Sequence, residues 1–254
     1  GGQTPLAQLL VAEPRHRHAP GGLPLCADNG RAQIASCRAN APGVAGVAVL
    51  MLAPADPMVS YTDQGFDMVR DNCADIPRHV LAAGYRFRPF ASGDDRLWTD
   101  LQQASEPLFD IADDLFNQQY GTHRADLPDR LWFVETEAGD AVASISAWWE
   151  HEPPTPRDRG RIHWVVVHPE HRRRGISKAM MTKAMERLAR SHPSAMLGTS
   201  SGRPWAVKLY LDFGFRPDPG QLERPEIQQG WRDVQSILGH RTLAAWSPHE
   251  DRDQ

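Results

Sequence analysis

The chain has 254 residues, which is enough for one domain with an extension. Its 28 basic and 32 acidic side chains give a formal net charge of −4, so the chain as a whole sets up no positive field that would attract nucleic acid. Three cysteines form no C-x-x-C pattern, which argues against a disulfide framework and a thiolate metal site, and favours a reducing cytoplasm.

The N-terminal third carries little periodic pattern. Residues 1–43 are rich in Gly, Pro, Ala, Arg and His, which predicts a loosely packed extension. The longest apolar run, residues 44–53, is too short to span a bilayer, which needs about 20 residues, so we expect a buried strand there and no membrane partner. A short helix is predicted at 79–83, and we place the whole extension at residues 1–83.

From residue 84 onward the pattern predicts regular elements in the order β-α-α-β-β-β-α-β-α. Asp94 and Asp95 mark the start of the first helix, and the turn at 138–140 joins two strands into a hairpin. The predicted strands lie at 85–90, 131–137, 141–149, from 162 onward and at 195–199; the predicted helices lie from 95 onward and at 108–120, 177–190, 206–213 and 225–238, before a last strand at 241–246.

The stretch from Ile162 to Ser177 carries the strongest functional signal, because a β-branched run turns through three arginines and one glycine into a helix. The first turn of a helix has unpaired N–H groups, and the helix dipole adds about half a positive charge there. Gly175 permits close backbone approach, so the loop predicts an anion cradle that suits a phosphate. The alternative is a solvated charge run or a nucleic-acid patch formed by the arginines.

A second motif, Tyr210-x-x-x-Gly214-Phe215, closes a later helix. Together with Arg172-x-x-Gly175-x-Ser177 in the first loop, it resembles the GNAT superfamily of acetyl-CoA-dependent acyltransferases. The resemblance implies an α/β fold with a central mixed β-sheet flanked by helices, in a domain at residues 84–246 that is followed by a tail at 247–254. The predicted helix at 225–238 departs from the closing strand pair that the family usually has.

The resemblance also implies how acetyl-CoA would bind. The backbone of Val165 and Val167 would pair with the pantetheine arm as an added strand. Arg172 stands where the family has Arg or Gln, and Ser177 stands where it usually has Gly or Ala, with a hydroxyl small enough to fit and to cap the helix. The amides that would hold the pyrophosphate are those of Arg173, Arg174, Gly175 and Ser177.

Transfer of an acyl group from a thioester to an amine needs a base for the amine and an acid for the departing thiolate. By resemblance Tyr210 is the general acid, since a phenol with a pKa of about 10 is protonated at neutral pH. His163 is the candidate base, because a histidine holds this position in the serotonin-type arylalkylamine acetyltransferases, and alternation predicts that it shares a face with Val165 and Val167. The structural alternatives are that Tyr210 packs between helix and sheet and that His163 packs beneath the acceptor pocket.

Two positions depart from the pattern of the family. Many members carry a glutamate where this chain has Arg161, and the family often carries an asparagine where this chain has Arg203, seven residues before Tyr210. Because of these two departures, the resemblance leaves open whether His163 or a water chain acts as the base, and it puts the asparagine contact to the cofactor in doubt.

The amide of Val165 is the candidate donor that polarises the acetyl oxygen.

The acceptor amine is expected opposite the cofactor, where the strand at 141–149 ends. Two carboxylates beside tryptophan rings suit a cationic amine that is held in part by cation-π contact. The candidates are Trp149, Glu150 and Glu152. The alternative is that Trp148 and Trp149 point to opposite faces, so that at least one of them fills the core, and that the carboxylates form a solvated turn.

These assignments predict an N-acetyltransferase that moves an acetyl group from acetyl-CoA, its co-substrate, to a primary amine of a small molecule or a peptide, with no metal. Cys26, Cys37 and Cys73 lie outside the region of resemblance, so direct attack in a ternary complex is favoured over a covalent enzyme intermediate. Two alternatives come from other classes: a non-catalytic module that binds acyl-CoA, and a nucleic-acid-binding protein that uses the arginine cluster. The identity of the amine and the oligomeric state, a homodimer included, stay open.

Overall fold

The computed structural model describes residues 63–151, 154–155 and 158–244. The strand predicted at 44–53 lies outside these residues. The strands are β1 (Gly65–Arg70), β2 (Tyr85–Pro89), β3 (Leu131–Thr136), β4 (Ala141–Trp149), β5 (Gly160–Val167), β6 (Ala195–Ser200) and β7 (Arg216–Pro217). The helices are α1 (Asp95–Ser105), α2 (Leu115–Tyr120), α3 (Leu127–Arg130), α4 (Ile176–Leu188), α5 (Pro204–Asp212), α6 (Pro225–Leu238) and α7 (Arg241–Ala244).

Within the described residues the strands form one mixed sheet in the order β2-β3-β4-β5-β6-β1-β7. Strands β5 and β6 are parallel, and all other neighbours are antiparallel. Helices flank the sheet, so the expected class, an α/β fold with a central mixed sheet, is confirmed.

Strand β1 comes from a segment that the sequence pattern assigned to the N-terminal extension of residues 1–83. It lies between β6 and β7 and pairs with both, so that Met68 stands opposite Leu197 on one side and Pro217 on the other. Helix α6 covers it, with the rings of Phe66 and Trp231 stacked at a centroid distance of 4.1 Å. The sheet therefore begins at residue 65 and not at 84. Strand β1 was missed because two of its six residues, Gly65 and Asp67, are of types that are depleted in strands.

Several other predicted elements also differ from the observed ones. The helix expected at 108–120 forms only from Leu115 to Tyr120, because the segment before it follows a proline and carries three aspartates, whose short side chains favour turns. No helix forms at 79–83, and residues 241–244 form a helix where a strand was expected. Strand β4 and helix α6 have the bounds that the pattern predicts.

The sheet separates two hydrophobic clusters. The larger one packs against α4, α5 and α6, and we call this side of the sheet the α4 face. The smaller one, on what we call the α1 face, is aromatic: the ring of Trp98 lies 5.4 Å from that of Phe116 and 5.6 Å from that of Tyr120, and Phe133 and Trp148 complete it. Strands β6, β1 and β7 contribute no residue to this aromatic cluster, so the described part of α1 and α2 packs on the β2–β5 half of the face.

Candidate active site

Strands β5 and β6 pair only at their first residues and then diverge. They pair only at Gly160 with Ala195 and at Arg161 with Met196. Beyond these pairs, β5 keeps its hydrogen bonds to β4 and β6 keeps its bonds to β1. We call the opening between residues 162–167 of β5 and 197–200 of β6 the β5–β6 gap. Its β5 edge has no strand partner among the described residues, which suits an extended ligand arm that pairs with backbone groups such as those of Val165 and Val167.

The loop after β5 enters α4 through two residues with positive φ, Arg173 at 61° and Gly175 at 78°. Gly175 is the N-cap residue and no side chain caps the helix, so the Ser177 hydroxyl does not take the capping role that was expected of it. A Cβ atom added at Gly175 would meet no atom within 4 Å, which leaves the approach to the first-turn N–H groups open. These amides, at the start of a 13-residue helix, offer donors that suit a phosphate group.

The side chains of two arginines in this loop bind protein groups. Arg172 donates from Nε to the carbonyl of Val167 at 3.2 Å and from Nη2 to the carbonyl of Ser105 at 3.0 Å, and so ties the end of β5 to the end of α1. Arg174 donates to the hydroxyl of Tyr85 at 3.1 Å. The backbone of this loop, more than the Arg172 side chain, therefore offers donors to an anion.

A β-bulge lies on β5 beside the gap. Ser146 pairs with His163 and Ser144 pairs with Val166, so β5 has one residue more than β4 between these two pairs. Trp164, in the bulge, has a φ of 47°, which is rare for a residue with a side chain. The extra residue reverses the alternation of side chains along the strand.

The bulge decides which face His163 joins. Val165 and Val167 pack against the cluster of the α4 face, whereas Trp164 packs with the aromatic cluster of the α1 face. His163 also lies on the α1 face, since its ring is 6.2 Å from that of Tyr120. The expectation that His163 shares a face with Val165 and Val167 is therefore wrong, because simple alternation does not hold across a bulge.

The His163 imidazole is half-buried and bonded to α2. Its Nε2 lies 3.0 Å from Oε1 of Gln119, and the Trp164 indole N–H donates to the same oxygen at 3.1 Å. Burial, together with the positive charge of Arg161, holds the pKa of His163 well below its usual value near 6.5. The ring is thus neutral at pH 7 and has one nitrogen free to accept a proton. Sequence reasoning missed Gln119, since a single glutamine in a short helix belongs to no motif.

Tyr210 stands on α5, whose end explains the second motif. The Phe215 N–H bonds the Tyr210 carbonyl at 3.0 Å and the Gly214 N–H bonds the Leu211 carbonyl at 2.9 Å, with a φ of 80° at Gly214. This is a Schellman ending, which requires the left-handed residue that glycine supplies. The motif thus fixes where α5 stops and holds the backbone at Tyr210.

The Tyr210 side chain is buried in the cluster of the α4 face. Burial raises the pKa of its phenol to about 12, and the Arg203 guanidinium opposes that shift. Arg203 is held by the Ser200 hydroxyl at 2.8 Å, at the end of the β6 edge of the gap, and by Glu106 at 2.6 Å. Tyr210 is therefore a protonated donor on the α4 face near β6, while His163 approaches from the α1 face on β5.

Three residues beside the β5–β6 gap direct their Cβ positions to the α1 face. Gly198 pairs with Asp67 of β1, and it follows Met196, the partner of Arg161, by two residues, as His163 follows Arg161. We call the strip of the α1 face formed by His163, Gly198 and Asp67 the trough. Gly198 is exposed, and a Cβ atom there would come within 3.3 Å of Oδ1 of Asp67. Nε2 of Gln221 donates to Oδ2 of Asp67 at 2.7 Å. Burial raises the pKa of Asp67; the positive charge of Arg161 opposes this rise, and the negative charge of Asp218 adds to it. Asp67 was missed because β1 was missed.

The residues expected to hold the acceptor have other partners. Glu150 accepts from the backbone N–H of Arg159 at 3.1 Å and from its Nε at 2.9 Å; burial alone raises the Glu150 pKa, but these bonds bring it below its usual value. The Arg130 guanidinium carbon lies 4.0 Å from the centroid of the Trp149 ring. The centroids of the Trp149 ring and the buried Trp148 ring are 4.7 Å apart. Glu152 lies outside the described residues. The structure therefore groups Glu150 and Trp149 with protein neighbours at the β4 end.

No group of three or more His, Cys, Asp or Glu side chains in the described ranges could hold a metal ion. Within the same ranges, each helix is too short or too polar to cross a bilayer. Cys73 is half-buried, and burial raises the pKa of its thiol, so this cysteine is held in the unreactive protonated form.

Comparison with known proteins places residues 95–215 in the Acetyltransferase (GNAT) family. N-acetyltransferase 8F1 of Mus musculus is 33% identical over 88 residues, which make up 34% of this chain and 39% of that protein. N-acetyltransferase 8B of Mus musculus is 32% identical over 88 residues, which make up 34% of this chain and 37% of that protein. The matched part is thus well under half the length of these relatives.

A solved GCN5-related N-acetyltransferase from Sphaerobacter thermophilus is 20% identical, covers 61% of this chain and 49% of its own, and superposes with a TM-score of 0.49. A likeness of that extent adds no argument about chemistry. The family match contains α1, the β5–β6 gap, the cradle before α4 and the Tyr210 helix. The family match over residues 95–215 therefore supports the resemblance of this chain to the GNAT superfamily of acetyltransferases.

Proposed function

We propose that this protein is an N-acetyltransferase that moves the acetyl group of acetyl-CoA to a primary amine by direct attack in a ternary complex. One observation carries the proposal: the two strands that border the β5–β6 gap have a protonated phenol and a neutral imidazole on opposite faces of the sheet. Tyr210 is buried on the α4 face, on a helix that packs on β6, and His163 of β5 lies on the α1 face. The names of the two mouse relatives, both N-acetyltransferases, agree with it. Acetyl-CoA, when bound, supplies an activated thioester.

The cradle and the β5 edge bind the two ends of the cofactor. The amides of residues 173–177 hold the pyrophosphate, where the α4 dipole favours negative charge. The backbone of Val165 and Val167 orients the pantetheine arm along β5, and the Val165 amide is the proposed donor to the acetyl oxygen. Arg172 keeps this loop in place by its bonds to Val167 and Ser105.

His163 and Tyr210 move the two protons. His163 accepts a proton from the amine as the amine nitrogen bonds to the thioester carbonyl carbon, which is feasible because the low pKa keeps the ring neutral. Tyr210 donates its phenolic proton to the sulfur as the carbon–sulfur bond breaks. Water then returns a proton to Tyr210 and removes one from His163, so the sum is one amide and one thiol.

The acceptor amine is placed in the trough of His163, Gly198 and Asp67. The absent side chain at Gly198 leaves room above β6, and the Asp67 carboxylate faces that space. The amine belongs to a small molecule or a peptide, and the cysteine pattern still favours a reducing cytoplasm. Glu150 keeps its role as a partner of Arg159 in this proposal.

Steady-state thiol release from acetyl-CoA, measured against a panel of primary amines with both substrates varied, tests the proposal. We expect release that depends on the amine and intersecting double-reciprocal lines, as a ternary complex requires. Parallel lines would point to a covalent enzyme intermediate and contradict direct attack. Tight binding of acetyl-CoA without amine-dependent release across the panel would contradict catalysis and favour a non-catalytic acyl-CoA-binding module.

A further inference from the structure

The carboxamide of Gln119 lies beside the His163 ring and serves two donors at once. Nε2 of His163 lies 3.0 Å from the Gln119 oxygen, and the indole nitrogen of Trp164 lies 3.1 Å from the same atom. Gln119 is half-buried on α2, which is also the helix that carries Tyr120 against the aromatic cluster. It contacts the candidate base directly and is part of neither family motif.

Trp164 fixes which end of the carboxamide faces the two rings. An indole N–H can only donate, so the Gln119 atom that it meets must be the oxygen and not the amide nitrogen. An amide oxygen can only accept, so Nε2 of His163 must carry a hydrogen to bond it. In the neutral ring the lone pair that can take a proton is then on Nδ1.

The bulge makes this shared contact possible. Consecutive residues of a regular strand point to opposite faces, and only one of two neighbours would reach α2. The positive φ of Trp164 turns its indole to the face of His163, with the two ring centroids 5.6 Å apart. Trp164, a non-glycine residue at φ 47°, is thus a point of backbone strain directly beside the candidate base. Such strain often occurs at functional sites.

We propose that Gln119 is a positioning residue that holds His163 in the Nε2–H tautomer, so that Nδ1 is the nitrogen that accepts the proton of the acceptor amine. This inference rests on the proposed function of His163. When Nδ1 takes the proton, the Nε2–H bond to Gln119 stays in place and the ring does not have to turn. Trp164 acts one step further out, by keeping the carboxamide from flipping.

Nitrogen NMR of the His163 ring, assigned by comparison with a His163→Gln sample, reads the tautomer without any need for turnover. We expect a pyrrole-type Nε2 and a pyridine-type Nδ1 in the unaltered protein. Gln119→Leu removes the acceptor and should give a mixture of tautomers, with a roughly 10- to 100-fold loss of kcat and little change in the KM of acetyl-CoA. Gln119→Glu keeps an acceptor oxygen at this position and should retain the tautomer and most of kcat.

Trp164→Phe provides the second test, because it leaves Gln119 in place but frees its carboxamide to flip. We expect a partial shift toward the Nδ1–H tautomer and no further loss when Trp164→Phe is added to Gln119→Leu, since both act through one contact. A pyridine-type Nε2 in the unaltered protein would overturn the inference. So would a Gln119→Leu protein that shows the mixed tautomer yet keeps its full kcat. If no variant, the unaltered protein included, releases thiol, then the proposed function fails separately and the NMR signals still decide the tautomer.

Discussion

The two faces of the sheet at the β5–β6 gap are built in different ways. On the α4 face, a loop that runs directly into α4 supplies the cradle, and the last turn of α5 supplies Tyr210. On the α1 face, His163 depends on a bulge, on Gln119 from α2 and on an aromatic cluster. The proposed cofactor side is thus made of short contiguous motifs, whereas the proposed acceptor side is assembled from segments far apart in the chain.

This contrast between the two faces indicates where specificity for the acceptor amine can change. Backbone amides at a helix start bind a phosphate group with little help from side chains, so we expect this side to tolerate serine at position 177, where the family usually has Gly or Ala. The proposed acceptor side depends on side chains from β1, β5 and α2, and on the absence of a side chain at Gly198 of β6. Strand β1, which takes the inner position next to β6 and contributes Asp67, joins a site that the family motifs do not describe.

The largest effect is expected from the α4 face, for Tyr210→Phe. Loss of the phenolic proton donor should lower kcat about 100- to 1,000-fold and leave the KM of acetyl-CoA nearly unchanged, because a general acid acts mainly in the transition state. Tyr85→Phe is the matched control, since its hydroxyl bonds His171 and Arg174 and not the gap. Equal rates for the two variants would remove Tyr210 from the chemistry.

Gly175→Ala tests the cradle alone. Its φ of 78° should cost about 1–2 kcal/mol of unfolding free energy with a side chain present, and the methyl group should weaken acetyl-CoA binding about tenfold with kcat little changed. Gly139→Ala carries similar strain, at φ 93° in the β3–β4 turn, and its Cβ atom also meets open space. Calorimetric titration and thermal unfolding separate the two effects: equal losses of acetyl-CoA affinity in both variants would mean that the cradle has no special part in binding.

Gly198→Leu tests the trough on the α1 face. A leucine at this exposed strand position should fill the floor between His163 and Asp67 and raise the KM of the acceptor about tenfold, since it excludes the amine and not the cofactor. The KM of acetyl-CoA, measured in the same variant, is the internal control. A rise in the acetyl-CoA KM alone would move the acceptor elsewhere.

The smallest effect is on the pH profile. Because burial and Arg161 depress the pKa of His163, the acidic limb of kcat/KM should lie below pH 6.5, and Arg161→Gln should move that limb upward. The lowered pKa also makes stability depend on pH. As the pH falls below about 6.5, His163 is protonated in the unfolded chain before it is protonated in the folded protein. Its contribution to the unfolding free energy therefore rises with pH up to about 6.5 and is constant above that value. Arg190→Gln, at an exposed site after α4, should leave the limb where it was.

Sequence reasoning reached the α4 face because its signals are local. The glycine at 175, the arginines before it and the Tyr210 motif describe single turns, and β4 and α6 follow from periodicity within one element. The α1 face was out of reach for two reasons. A one-residue bulge at Trp164 inverts the predicted face of His163, and the pairing of β1 with β6 joins residues more than 120 positions apart.

A structure of the protein with coenzyme A and the acetylated amine tests the central claim most directly. We predict that the sulfur lies in the β5–β6 gap, with the Tyr210 hydroxyl reaching it from the α4 face and Nδ1 of His163 facing the amide nitrogen from the α1 face. A coenzyme bound away from the gap, or an amide nitrogen on the same face as Tyr210, would contradict the account.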